Sequence, residues 1–216
     1  MVECAGVDMR WKNVILDFDG TLVDSQSIFV ACANELSKTF GHGRIEPGSK
    51  PREKSTREVL IDVLGLLPEQ VPLWVERFKD LLNRNMRSAA TVKGMKEVLS
   101  ALQKDYRLGI VTSNTEETVR HILARDDIGQ VDFIWADAPA LEKDSAIEGA
   151  LAKHTLSPEE TIYVGDDTGD IDACRKAGIK IIAVSWGFSS KAMLERKGPD
   201  YLVETPMQLL AVLEPS

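Results

Sequence analysis

The order of apolar and polar positions divides the chain into two regimes. Between Ser25 and Met86 apolar residues recur at helical spacing. Phe29, Ala33, Leu36 and Phe40 fall on one face, and Val71, Trp74, Val75, Phe78, Leu81 and Leu82 form a second stripe. Between them "STRE" (Ser55 to Glu58) reads as a capping box opening a helix that carries Leu60, Val63 and Leu64. The polar segment "GHGRIEPGSKPREK", rich in Gly and Pro, predicts a loop between the first two helices. No strand signal occurs in this region.

After Thr91 the rhythm becomes an alternation. "KGMKEVLSALQK" is helical, and "RLGIVTSN" is a short apolar strand ending in polar residues. A helix over "TEETVRHILARD", a strand at "DFIWAD" and a helix over "DSAIEGALAKH" follow. Ser157 to Glu160 gives a second capping signal before the strand Ile162 to Val164. "TGDIDACRKAG" is a helix closed by Gly178, "IKIIAVSW" and "YLVE" are strands, and "TPMQLLAVL" is a last helix opened by Thr205 and Pro206. Near-continuous apolar strands alternating with helices imply an α/β fold: a Rossmann-like parallel sheet with helices on both faces. Val14 to Phe18 belongs to that sheet by character but is separated from it by the helical block. The expected organisation is therefore a discontinuous core, residues 1–23 plus 92–216, with an all-helical cap domain inserted at residues 24–91.

In such sheets ligands sit beyond the carboxyl ends of the strands, and there the polar residues gather. The first strand delivers Asp17 and Asp19; "GIVTSN" delivers Thr112, Ser113 and Asn114; "IYVGDDTGD" delivers Asp166, Asp167 and, a helical turn later, Asp170. Lys143 opens the preceding helix, and the insert returns near the same edge, where it can cover the site. Clustered carboxylates drive one another toward protonation unless a counter-charge is present. Mg2+ suits them, since it takes hard oxygen ligands from one or two carboxylates plus a substrate phosphate. Hydroxyls, turn N–H groups and a lysine suit a phosphate. Asp17 can then act as nucleophile, and Asp19 can give a proton to the leaving oxygen and take one from water.

Composition narrows the partners. With 26 basic against 34 acidic residues the net charge is −8, which argues against nucleic acid. Cys4, Cys32 and Cys174 stand far apart and offer neither a disulfide framework nor zinc spacing, so a reducing, cytoplasmic setting is expected. The start, "MVECAGVDMRWK", lacks an apolar leader, and no run approaches a membrane span. A monomer or homodimer is expected.

"DFDGTLVDS", "IVTSN", a following lysine and "VGDDTGD" resemble, in order and spacing, the four motifs of the haloacid dehalogenase-like superfamily. The insert after the first motif resembles the helical cap of its phosphoglycolate phosphatase-like branch. The resemblance covers essentially the whole chain. It implies a Mg2+-dependent phosphatase for a small phosphorylated metabolite, with phosphoglycolate as one substrate. Asp17 is implied as nucleophile and metal ligand, and Asp19 as general acid/base whose backbone carbonyl also binds the metal. The resemblance further implies phosphoryl contact for Thr112 with Asn114 as a neighbour, charge neutralisation for Lys143, and metal binding for Asp166 and Asp170. Asp167, where relatives often have Ser, supports. Relatives usually have Pro after the lysine; here Asp144 follows, which can cap the helix or draw Lys143 away. Arg52 and Lys54 in the insert are candidates for a substrate carboxylate or second phosphate.

Competing readings share these residues. A dehalogenase needs no acid at Asp19. A phosphomutase keeps all four motifs, and a phosphonate-cleaving enzyme needs a Schiff-base lysine such as Lys50 or Lys54. A non-catalytic module would bind a phosphorylated ligand without turnover. The purely structural alternatives are a hairpin turn at Asp19-Gly20, helix caps at Asp166, Asp170, Thr112 and Asn114, and a solvated Lys143.

Overall fold

The computed structural model describes residues 11–41, 43–45, 59–139 and 142–214. Six parallel strands form the main sheet: β1 (Asn13–Leu16), β4 (Arg107–Val111), β5 (Phe133–Trp135), β6 (Thr161–Gly165), β7 (Lys180–Val184) and β8 (Tyr201–Val203), in the order β5-β4-β1-β6-β7-β8. The chain leaves β1 toward β4 and β5, then crosses to β6, so β1 lies at the point where the winding reverses. Registers run Leu16 beside Ile110 on one side and Leu16 beside Val164 on the other.

Alternation within each strand explains the three layers. Val14 and Leu16 of β1, Ile162 and Val164 of β6, and Ile182 and Val184 of β7 enter one core. The intervening Ile15, Tyr163, Ile181 and Ala183 enter the other. The first core is closed by α3 (Met95–Leu102), α4 (Glu116–Arg125) and α8 (Pro206–Leu213). The second is closed by α5 (Lys143–His154), α6 (Thr168–Ala177) and α7 (Lys191–Lys197). The fold is α/β and Rossmann-like, as the strand pattern indicates.

Between β1 and β4 the chain forms α1 (Gln26–Phe40) and α2 (Val71–Met86). Phe29 of α1 meets Phe78 of α2 edge-on at 4.6 Å, and Trp74 stacks on Phe78 at 4.8 Å. The two crossings into and out of this block pair with each other. β2 (Val23–Asp24) and β3 (Ala90–Thr91) form an antiparallel ribbon that sequence patterning misses, because two residues carry no period. Arg125 at the end of α4 fastens the return crossing, donating to the carbonyls of Arg87 and Ala89 at 2.7 and 2.6 Å. The expected helix carrying Leu60, Val63 and Leu64 is instead a single π-helical turn, Val59–Val63. Its proposed cap, Ser55 to Glu58, lies outside the described residues, as do Lys50, Arg52 and Lys54. Among the described residues no helix is long and apolar enough to cross a membrane.

Candidate active site

Each of the central strands ends in polar residues at the same edge of the sheet. Asp17 follows β1 directly, and its N–H donates to Val164 O at 2.8 Å, so the last rung of the β1–β6 ladder holds it. Gly20, at φ 75°, then turns the chain: Phe18 O accepts from Leu22 and Val23, and Gly20 N–H donates to Val23 O at 2.9 Å. Only glycine fits there, since a Cβ would stand 2.3 Å from Asp166 Oδ2 as well as requiring the left-handed backbone. Asp166 follows β6, and Asp170 lies in the first turn of α6. Asp167 caps that helix by accepting from Gly169 N–H at 2.7 Å, while Asp170 Oδ2 accepts from Asp167 N–H at 2.9 Å.

Asp17, Asp166 and Asp170 converge. All three are buried, and one carboxylate oxygen from each lies within 4.8 Å of the others. Lys143 Nζ binds Asp17 Oδ2 at 2.8 Å and also Asp170 Oδ1. The neighbouring Asp144 does not compete for it, because Asp144 turns to Lys176 at 2.7 Å. Asp166 is held by the Thr21 hydroxyl at 3.1 Å and the Phe188 N–H at 2.5 Å, contacts across 145 and 22 residues that no local pattern announces. Gly187 packs against it so closely that a Cβ there would sit 2.1 Å from Asp166 Cβ.

The Asp19 carboxylate stands apart from this trio and accepts from the Asn114 amide. Its Oδ1 is buried and has no hydrogen-bond partner among the described residues. Asn114 N–H donates to Thr112 Oγ1 at 3.0 Å, and its side-chain amide also reaches that hydroxyl at 3.2 Å. Thr112, Ser113 and Asn114 thus line the wall opposite Asp166. Sequence reasoning overlooked Tyr163, whose buried ring lies 5.8 Å from Lys143 Nζ, and Ser189, whose hydroxyl donates to Asp167 at 3.1 Å. Tyr163 reads as a core residue in an apolar strand, and Ser189 reads as loop.

The electrostatics are those of crowded carboxylates. Burial, then repulsion from Asp170 and Asp19, pushes Asp17 up to about 7 against the pull of Lys143. Burial, then Asp17 and Asp170, raises Asp166 well above the carboxylate range. Burial raises Asp19 against the Ser25 hydroxyl and the Asn114 amide. Burial disfavours the charged lysine, yet Asp17 and Asp170 hold Lys143 firmly protonated. Three ionised carboxylates facing one ammonium would leave two surplus negative charges in a desolvated pocket, and the upward shifts of Asp17 and Asp166 reflect that surplus. A divalent, oxygen-seeking cation offsets that surplus, and Asp17, Asp166 and Asp170 supply hard oxygen donors. The donor set fits Mg2+.

A cavity of about 210 Å³ opens beside these groups, lined by the strand ends, by α1 and α2, and by Ile45, Leu60 and Leu64. Lys79 and Asn83 of α2 and Arg87 just past its end recur every four residues and reach across to the sheet side. Lys79 pairs with Asp137 at 3.3 Å, Asn83 Oδ1 accepts from Thr115 N–H at 3.3 Å, and Arg87 binds Glu117.

The family model of haloacid dehalogenase-like hydrolases matches residues 14–184, which spans both the strand-end acids and the helical block. The chain belongs to that family. It is 33% identical over 203 residues to a phosphoglycolate phosphatase of Synechococcus elongatus, covering 92% of this chain and 95% of the relative. It is also 33% identical to the pyrophosphatase PpaX of Bacillus mycoides, covering 95% and 98%. Among solved structures, a haloacid dehalogenase-like hydrolase of Streptococcus pneumoniae superimposes with a TM-score of 0.78 at 28% identity, covering 95% of this chain and 99% of that one. The chain is a hydrolase of this family.

Proposed function

We propose that the protein is a Mg2+-dependent phosphatase that hydrolyses a small phosphorylated metabolite through an aspartyl-phosphate on Asp17. The observation that carries this reading is the buried Asp17 carboxylate, paired with Lys143 at 2.8 Å and within 4.8 Å of Asp166 and Asp170. Asp17, Asp166 and Asp170 would hold the metal, which supplies positive charge to the phosphoryl oxygens and to the carboxylates.

The chemistry of the chain's own residues follows in two displacements. The Asp17 carboxylate oxygen forms a bond to phosphorus as the ester P–O bond breaks, and the Asp19 carboxyl gives its proton to the departing oxygen. A water oxygen then attacks the same phosphorus while the Asp19 carboxylate takes its proton. The Asp17–phosphorus bond breaks, inorganic phosphate leaves, and both acids return to their starting states. The raised Asp19 supports a carboxyl that carries a proton into the first step. Thr112, Ser113, Asn114 and Lys143 bind and orient the phosphoryl oxygens. Lys143 also favours the ionised form of Asp17 and aims its carboxylate.

Residues 24–91 act as a cap on the core of residues 1–23 plus 92–216, and the Lys79–Asn83–Arg87 row helps to seat it. Closure excludes bulk water from the phosphorylated enzyme. Arg52 and Lys54, outside the described residues, are the candidates to meet a second anionic group where a substrate carries one. The relatives' names supply two starting substrates, phosphoglycolate and pyrophosphate.

The test is release of inorganic phosphate from a panel of phosphorylated metabolites, with Mg2+ and with excess chelator. The expected result is Mg2+-dependent turnover that Asp17→Asn abolishes. Turnover by Asp17→Asn at the wild-type rate removes the nucleophile from the account, and phosphate-ester transfer without net release would assign the chain to mutases.

A further inference from the structure

The cavity over Asp17 limits what the body of the substrate can be. Apolar side chains provide most of its wall. Phe29 and Ala33 of α1, Leu64, and Trp74, Phe78 and Leu82 of α2 line it together with the strand ends. The rings among them are in contact: Trp74 stacks on Phe78, Phe78 meets Phe29 edge-on, and Phe29 meets Phe188 edge-on at 5.2 Å. Phe188 in turn gives its N–H to Asp166. An aromatic surface therefore runs without a break from the helical block to the backbone that holds the acid cluster.

Charge lies at the strand ends and at one position of α2. Among the described residues the cavity is lined by two cations, Lys143 and Lys79. Lys143 is bound by Asp17 and Asp170, and Lys79 is paired with Asp137. Two polar positions on the α2 side and the start of α1, Asn83 and Gln26, are uncharged, and Asn83 Oδ1 already accepts from Thr115. A carboxylate or second phosphate lying against Phe29, Leu64 and Trp74 would lose its hydration and, among the described residues, gain no unpaired cation in return. An apolar void of about 150 Å³ holds a benzene ring, and this cavity of about 210 Å³ has that capacity beside the phosphoryl floor.

We infer that the preferred substrate is a phosphate monoester of an uncharged, mainly apolar alcohol, with a ring or branched chain that fills the aromatic space between α1 and α2. The inference rests on the phosphatase reading and names its substrate class; it departs from the two small anions in the relatives' names. The phosphoryl group meets Asp17, Thr112 and Lys143, and the alkyl or aryl body packs on Phe29, Leu64 and Phe78.

The test compares kcat/KM for benzyl, ethyl and carboxymethyl (phosphoglycolate) phosphates and for pyrophosphate, all with Mg2+. Benzyl and ethyl esters have leaving oxygens of similar basicity, so their ratio reports the pocket. A single methylene in a hydrophobic pocket discriminates by about 10-fold or more, so benzyl phosphate should exceed ethyl phosphate and phosphoglycolate by at least about 10-fold. Val30→Lys, which places a cation on the α1 wall, should lower the benzyl-to-phosphoglycolate ratio, and Phe29→Gln should lower the benzyl-to-ethyl ratio. The wild-type ratios need no variant to fold. Phosphate release with phosphoglycolate or pyrophosphate preferred overturns the inference and leaves the phosphatase reading standing. Release from none of the four, nor from p-nitrophenyl phosphate, overturns both.

Discussion

Replacing Asp17 with asparagine keeps the shape of the side chain and removes its charge, and the cost of that charge can be worked out. In the metal-free protein, burial and the neighbouring acids push the Asp17 carboxyl from 3.8 to about 7. An acid whose pKa rises on folding binds its proton more tightly in the folded state. Its ionisation therefore costs stability in full above the folded value and nothing below the ordinary one. A rise of about three units corresponds to roughly 4 kcal/mol at about 1.4 kcal/mol per unit. The attraction of Lys143 is already contained in that shift. Asp17→Asn should therefore stabilise the chelator-treated protein by up to about 4 kcal/mol near pH 8.5, or roughly 8–16 °C in Tm for a chain of this size. The gain should fade as pH drops through about 7 and vanish near pH 4. Thermal unfolding by circular dichroism, run on both proteins across that range, measures it. Added Mg2+ should stabilise the wild type more than the variant, because it offsets the repulsion and loses one ligand in the variant. A variant no more stable than wild type near pH 8.5, or more stable by the same amount at every pH, would refute the charge-surplus reasoning.

Three further outcomes follow from particular contacts. Gly187→Ala drives a methyl into Asp166, whose Cβ lies 2.1 Å from the new atom and cannot swing aside. Overpacking of this kind costs about 1–3 kcal/mol, and a Mg2+ titration of activity should show weaker metal dependence along with the lower Tm. At the return crossing, the Arg125 guanidinium, with help from Thr91, holds Asp126 at about 2. A depressed acid contributes stability above its ordinary 3.8 that is lost as pH falls toward 2. With the side chain a quarter exposed, screening leaves about 1 kcal/mol, so Asp126→Asn should be destabilised at neutral pH and equal to wild type near pH 2. Asp144→Ala should leave kcat and KM unchanged, since Asp144 serves Lys176 rather than Lys143; a fall in kcat would mean that Asp144 steers the lysine.

What was legible in the sequence is what depends on short-range pattern. β1, β4, β6 and β7 are buried on both faces, so they read as unbroken apolar runs, and their polar ends fall on one edge because parallel strands all point the same way. That placed Asp17, Thr112, Asn114, Asp166 and Asp170 together before any coordinates. The destination of Lys143 was not legible, because spacing alone cannot say which of two adjacent charged residues turns inward. The grips of Thr21 and Phe188 on Asp166 depend on how the loops after β1 and β7 fold over β6. The β2–β3 ribbon, the π turn at Val59–Val63 and the seven-residue α7 are too short to build a period. For α7 the Ser190 cap, which accepts from Met193 N–H, was the available signal.

In the proposed cycle Asp17 carries the phosphoryl group between two displacements. The most direct measurement is peptide mass spectrometry on enzyme quenched with acid while it turns over a phosphate ester in Mg2+. One acid-stable, base-labile phosphoryl group is expected on Asp17, and none in Asp17→Asn. Turnover with no phosphorylated peptide, or with the group on another residue, would contradict it.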